Sequence, residues 1–181
     1  MVSVYKCLVC DGINFKDYYP GIVQCQDCGF ITADLHLTEE QQRQLYGHDY
    51  FHGGEYADYI RDRNVIKKNF QKRLQTVLEY KREGRLLELG CAYGVFLELA
   101  QRHFGVSGYD ISEEAVRYAN EVLGVDVHCS DLLDDENVGQ KSIDVVTMWD
   151  VIEHLRWPNL YIERVARLLK KGGYLSGTSA A

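Results

Sequence analysis

No apolar run in this chain of 181 residues approaches the ~20 that a membrane-spanning helix needs, and the opening Met1-Val-Ser-Val-Tyr-Lys6 lacks the apolar stretch of a signal peptide. Neither a membrane span nor secretion is therefore expected, and a cytoplasmic protein is the default. Positive charge is also scarce. The net charge is −7, of which the first fifty residues (3 basic, 7 acidic) carry −4 and the remainder −3. That balance argues against a nucleic-acid partner. Only residues 61–85 are locally basic, with nine Lys/Arg against Asp62, Glu79 and Glu83. Internal repeats and low-complexity tracts are missing as well. What remains is ordinary globular composition, 46% apolar and 26% charged, in a length that fits one medium domain plus a small appendage.

Six cysteines are distributed against a disulfide framework. Four form two pairs, Cys7-Leu-Val-Cys10 and Cys25-Gln-Asp-Cys28, while Cys91 and Cys129 stand alone at expected strand ends. Two thiolates three positions apart on a tight turn can reach one ion, and Gly29 permits such a turn. Two such knuckles supply the four sulfurs of a structural zinc ribbon over residues 1–35, with a hairpin expected around Tyr18-Tyr-Pro-Gly21. So short a segment buries little surface, and Zn2+ is expected to supply much of its folding free energy. A closed site of Cys7, Cys10, Cys25 and Cys28 leaves no position for chemistry.

Residues 36–82 form the second expected region. Thr38-Glu-Glu-Gln41 fits a capping box opening a short helix. Tyr46 to Tyr56, rich in aromatics and interrupted by Gly53-Gly54, reads either as a lid over a pocket or as a connector packed on the following domain. From Tyr56 to about Lys81 apolar residues recur at helical spacing, with the basic residues expected mostly on the opposite, solvated face.

The third region, residues 83–181, alternates strand and helix patterns. Arg85–Leu89, Val106–Asp110, Val125–Cys129, Ser142–Trp149 and Tyr174–Thr178 read as strands. Helices are expected over Val95–Arg102, from Ser112 to about Leu123, and from Pro158 through Lys171 to a stop at Gly172-Gly173. Such alternation means an α/β fold with a doubly wound, mostly parallel sheet, whose ligand sits at the carboxyl ends of the strands. Those ends carry Glu88 with the turn Gly90–Gly94, then Asp110, Asp131, and Trp149-Asp150. Small residues in the turn allow close backbone approach to a ligand. Asp110, 20 residues after Gly90, is placed to accept from two ribose hydroxyls, because Ser112 takes the helix-capping role.

Taken together, Leu86–Gly94, Gly108–Ser112, Ser130-Asp131, Ile143–His154 and Leu168–Gly173 resemble the successive motifs of class I S-adenosylmethionine-dependent methyltransferases. The cysteine knuckles resemble the zinc-binding N-terminal segment of one branch, some members of which methylate sugars. The resemblance implies a Rossmann-like core with S-adenosylmethionine as cofactor. Glu88, Gly90, Cys91, Ala92 and Gly94 would surround its methionine part, with alanine at 92 where relatives often have glycine. Asp110, followed by Ile111, would bind the ribose, Asp131 and Leu132 the adenine, and Trp149 and Asp150 would line the methionine end. Asp150, Glu153 and His154 match a run that some O-methyltransferases use near the acceptor. Either His154 serves as base there, or Glu153 and His154 merely cap the following turn.

Relatives usually continue past the fifth strand, whereas this chain ends at Gly177-Thr-Ser-Ala-Ala181. A core shortened there is the expectation, with a homodimer partner covering the open edge. The function implied is methyl transfer to a small-molecule or sugar/glycan-type acceptor. Two alternatives stand beside it: a non-catalytic S-adenosylmethionine-binding scaffold, and an NAD-dependent oxidoreductase. The second is disfavoured because Gly90-x-x-x-Gly94 lacks the dinucleotide spacing and Glu88 would repel a pyrophosphate.

Overall fold

Asp11 and Gly29 close the two cysteine knuckles in the same way, each with left-handed backbone (φ 58° and 81°) and each donating its N–H to the first cysteine's carbonyl. The computed structural model describes residues 6–33 and 62–179, which fall into two compact units, Met1–Leu45 and Tyr46–Ala181. In the first unit β1 (Phe15–Tyr19) and β2 (Ile22–Cys25) form the expected hairpin, with Gly21 at φ 76°. A third antiparallel strand, β3 (Ile31–Ala33), pairs with β2 beyond the second knuckle. Only Cys7 and Cys25 are buried among residues 6–33. The expected capping-box helix, the Tyr46–Tyr56 stretch and residues 56–61 of the long helix lie outside the described residues.

The second unit begins with α1 (Arg63–Tyr80) and β4 (Gly84–Leu89), followed by α2 (Val95–Ala100) and β5 (Phe104–Asp110). Next come α3 (Glu113–Tyr118), which continues as a π-helical turn to Leu123, and β6 (Val127–Cys129). The last elements are β7 (Ile143–Trp149), α4 (Pro158–Leu168) and β8 (Leu169–Thr178). The five strands β4–β8 pair in parallel in the order β6-β5-β4-β7-β8. Leu86 and Val145 turn one way, into a core with Leu74, Val77, Phe96 and Trp149. Leu87, Leu89, Val146 and Met148 turn the other way, onto Val165 and Leu168 of α4. Strands covered on both faces explain the nearly unbroken apolar runs of β4 and β7. The order of strands reverses between β4 and β7, which places the ligand crevice outside Leu89 and Trp149.

α4 ends three residues before the expected Lys171. The chain leaves the helix at Leu168, and Gly172-Gly173 is no helix stop but part of a bulge within β8: Ile143 pairs with Leu169, and Val145 already with Tyr174. The bulge lets Lys170 donate to Asp144 Oδ2 at 2.7 Å. Asp144 also accepts from the Arg85 N–H at 2.9 Å and lies 3.3 Å from the Lys81 ammonium, tying α1, β4 and β8 to β7. The Lys170 ammonium, outweighing the cost of burial, holds the Asp144 carboxyl at about 2, below its ordinary 3.8. That stabilisation is complete above pH 3.8 and fades as pH falls through about 2. Asp144→Ala should therefore lower stability by about 1–3 kcal/mol at neutral pH, because three donors lose a partner. Urea titrations should show the gap from wild type closing near pH 2; an unchanged midpoint at pH 7 would count against the network.

Candidate functional site

The four thiolates of the first unit lie within 4.8 Å of one another, the only group of potential metal ligands that close among the described residues. Tetrahedral zinc with bonds of about 2.3 Å requires sulfurs about 3.8 Å apart. Cys7 and Cys28 are 3.6 Å apart and Cys10 and Cys25 3.7 Å, so these two pairs already have the spacing of a tetrahedral zinc shell, and the four-sulfur donor set suits Zn2+. Asp150, Glu153 and His154 do not converge in this way.

In the second unit the crevice is built around Glu88. Cross-strand pairing sets it beside Gly108 of β5 and Thr147 of β7, with Asp110 and Trp149 one step further along the same face. Glu88 is 2% exposed, and its Oε2 has no hydrogen-bond partner among the described residues; the same holds for Thr147 Oγ1 and Trp149 Nε1. Burial, and then the charge of Asp110, push the Glu88 carboxyl well above its usual range, with Arg73 opposing. Three buried polar groups on one face, all lacking partners, point to a polar ligand.

The turn above Glu88 is shaped by backbone. Gly90 (φ 63°), Ala92 (φ 45°) and Gly94 (φ 73°) are all left-handed. A Cβ at Gly90 would stand 2.5 Å from Val151, so glycine is required there on two counts. Cys91 turns into the core. Asp110 binds the turn to the neighbouring strand: its Oδ2 accepts from the Ala92 N–H at 2.7 Å and its Oδ1 from the Ser112 N–H at 2.9 Å. Burial raises its carboxyl, against the pull of these N–H groups. Ser112 caps α3, accepting from the Ala115 N–H at 3.4 Å. Ile111 leaves its side chain 53% exposed beside this acid.

Asp131 follows β6. Its Oδ1 accepts from the Leu133 N–H at 2.8 Å, and its Oδ2 from the Tyr161 hydroxyl of α4. Leu132 is 1% exposed, its side chain already covered by Tyr109, Met148 and α4. Trp149 meets the edge of Phe96, with ring centres 5.2 Å apart, and belongs to the core beneath α1. Asp150 is left-handed (φ 57°) and accepts from Thr178 Oγ1 at 2.7 Å and from Arg73 at 2.9 Å. Partial burial would raise its carboxyl, but these two donors outweigh it and hold the group low. Glu153 and His154 form a short 3-10 turn just beyond.

A family profile described as a methyltransferase domain matches residues 58–179. The chain belongs to the class I S-adenosylmethionine-dependent methyltransferase family. It is 25% identical over 154 residues to a ubiquinone biosynthesis O-methyltransferase of Nitrosomonas europaea, covering 80% of this chain and 62% of that protein. With a protein of the same name from Bordetella avium the identity is 32% over 99 residues, covering 50% of this chain and 40% of that one. The chain thus spans less than two thirds of the length of these relatives. Among solved structures it is similar in fold to phosphoethanolamine N-methyltransferase 1 of Haemonchus contortus, in complex with phosphoethanolamine and S-adenosylhomocysteine (TM-score 0.64, 15% identity, 80% of this chain and 33% of that one).

Within this methyltransferase domain, Arg73 is the residue that the sequence reading passed over. Its guanidinium pairs with Asp150 and lies 5.1 Å from the Trp149 ring centre and 5.4 Å from that of Phe70. Arg63 and Lys67 likewise turn inward, to Glu98 of α2 at 2.7 and 3.0 Å. Three of the five cations of α1 therefore serve its inner face, against the expectation that most would lie on the solvated one. The signal was available: Arg73 falls between Phe70 and Val77 at helical spacing, within the apolar stripe.

Proposed function

We propose that residues 62–179 bind S-adenosylmethionine and use it to methylate a small-molecule acceptor. The observation that most supports this is Glu88, a buried carboxyl with an unpartnered oxygen at the centre of the crevice. An α-ammonium group would complete its bonding and offset the cost of ionising it, whereas a pyrophosphate offers this buried acid no compensating positive charge. When bound, S-adenosylmethionine supplies a methyl group on a cationic sulfur, open to in-line displacement. In this reading Arg73 releases Asp150 in part to take the cofactor's carboxylate, and Glu88 takes its amine. Asp110 accepts from the ribose hydroxyls with the lone pairs that Ala92 and Ser112 leave. Ile111 offers apolar surface to the base, and Asp131 an acceptor to its amino group. His154, supported by Glu153, receives the acceptor's proton as the acceptor gains the methyl.

Relatives named for ubiquinone biosynthesis favour a hydroxyl on a small ring as acceptor; a sugar or glycan hydroxyl, suggested by the ribbon, would demand the same proton acceptor. A second reading, cofactor binding without turnover, is supported by Asp150, whose two oxygens are already engaged by Thr178 and Arg73. Calorimetric titration with S-adenosylhomocysteine and with NAD tests the cofactor assignment. Micromolar binding of the first and none of the second is expected; the reverse would overturn it. Methyl transfer to catechol-type or sugar acceptors then separates enzyme from binding module.

A further inference from the structure

Four groups hold the loop Ser130–Ser142 between β6 and β7. Leu132 is buried beneath it, the Tyr109 hydroxyl donates to Asp135 Oδ2 at 2.7 Å, and Arg164 of α4 donates to the Asp135 carbonyl at 2.6 Å. The fourth is Tyr161, one turn before Arg164 on the same face of α4, whose hydroxyl meets the carboxylate of Asp131 itself. The first three hold the loop at Leu132 and Asp135. Tyr161 adds something different. Together with the Leu133 N–H on the other oxygen, it fixes the plane and rotamer of one carboxylate. Burial, reinforced by Asp131, raises the Tyr161 hydroxyl above its usual range, so it remains a donor throughout physiological pH.

We propose that Tyr161 is a positioning residue that locks the Asp131 carboxylate as an acceptor, so that the domain selects a purine bearing an exocyclic amine over one bearing a carbonyl. This rests on the cofactor reading above, in which Asp131 faces the base. The chemistry follows from the donor inventory: both oxygens keep a free lone pair, a carboxylate has no hydrogen to offer, and an amine donates where a carbonyl would repel. A carboxylate free to rotate would turn away from an oxo-purine at little cost. One held by Tyr161 and Leu133 cannot, and selectivity follows from that restraint.

The test compares S-adenosylhomocysteine with S-inosylhomocysteine, by titration calorimetry on the full chain as wild type, Tyr161→Phe and Asp131→Asn. Wild type should prefer the adenosyl ligand by about tenfold or more, the range of a hydrogen bond to a charged group. Tyr161→Phe keeps the ring and its packing, so its melting temperature should stay near wild type while the preference falls to about threefold or less. Asp131→Asn, which offers a donor to the carbonyl, should lower or reverse the preference without depending on Tyr161. A Tyr161→Phe protein that keeps the full preference, or weakens both ligands equally, overturns the positioning role and leaves the cofactor reading intact. Wild type that binds neither ligand overturns both. A general loss of loop order would also lower the ratio, and the melting temperature together with unchanged amide protection at Leu132–Asp135 separates it from the loss of the Tyr161 bond alone.

Discussion

Glu88→Gln should make the ligand-free protein more stable at neutral pH and weaken S-adenosylhomocysteine binding by about 10- to 100-fold, the value of a hydrogen bond to a charged group. The two effects share one cause. Glu88 is buried under the turn with one oxygen unpartnered, and burial followed by Asp110 raises its carboxyl far above the ordinary 4.5. For an acid whose folded value is raised, stability is fully present below the unfolded value and drains away as pH rises toward the folded one. Wild type should therefore match the glutamine variant in thermal melts near pH 4 and fall behind it at higher pH. Glutamine cannot ionise, so its own melting temperature should lack this decline. Affinity should move the other way, because an amide meets an ammonium group less favourably than a carboxylate does. Equal melting at pH 8, or undiminished affinity, would remove Glu88 from the centre of the site.

Cys25→Ser should abolish stoichiometric zinc binding and unfold residues 6–33 while leaving the methyltransferase domain folded. Among those residues only Cys7 and Cys25 are buried, and Val9, Ile13, Tyr18 and Tyr19 are each more than half exposed. Three short strands with so little apolar burial cannot offset the entropy of ordering the chain. A four-thiolate zinc site contributes roughly 10–16 kcal/mol at neutral pH in comparably small modules, enough to dominate the balance. Elemental analysis should fall from about one zinc per chain to none. Amide exchange should become fast across β1–β3 and stay slow in β4 and β7. Retained zinc, or protection that survives a strong chelator, would show that the ribbon folds on other terms.

The sheet was legible because its strands are covered on both faces. Leu86–Leu89 and Ile143–Trp149 had to be apolar nearly throughout, and runs bounded by turns stand out. The knuckles were legible because coordination chemistry dictates their spacing. The end of α4 was not: Leu168-Leu-Lys-Lys171 continues a good helical pattern, and the reason to leave it, Lys170 reaching Asp144 across β7, is a contact 26 positions away in sequence. Arg73 and Tyr161 were missed for a related reason. Each acts through a carboxylate far along the chain, 77 positions for Asp150 and 30 for Asp131, and helical periodicity shows a face but not its partner. Asp110 was read as a ligand residue, with the cap left to Ser112. The structure has its two oxygens anchoring both the turn and α3, with lone pairs left over for a ligand.

Acids gather around the turn: Glu88 and Asp110, whose carboxyls burial raises, and Asp150, which Arg73 holds low. Loss of the methyl group turns a cationic sulfonium into a neutral thioether. Acids that resist ionising alone ionise more readily beside a cation, so such a crevice would hold the first more firmly than the second. On the proposed function, the spent cofactor loses part of its grip at the moment of transfer. The acids proposed to admit the methyl donor would then also speed the departure of its remnant, a form of relief from product inhibition shared by the ends of three strands.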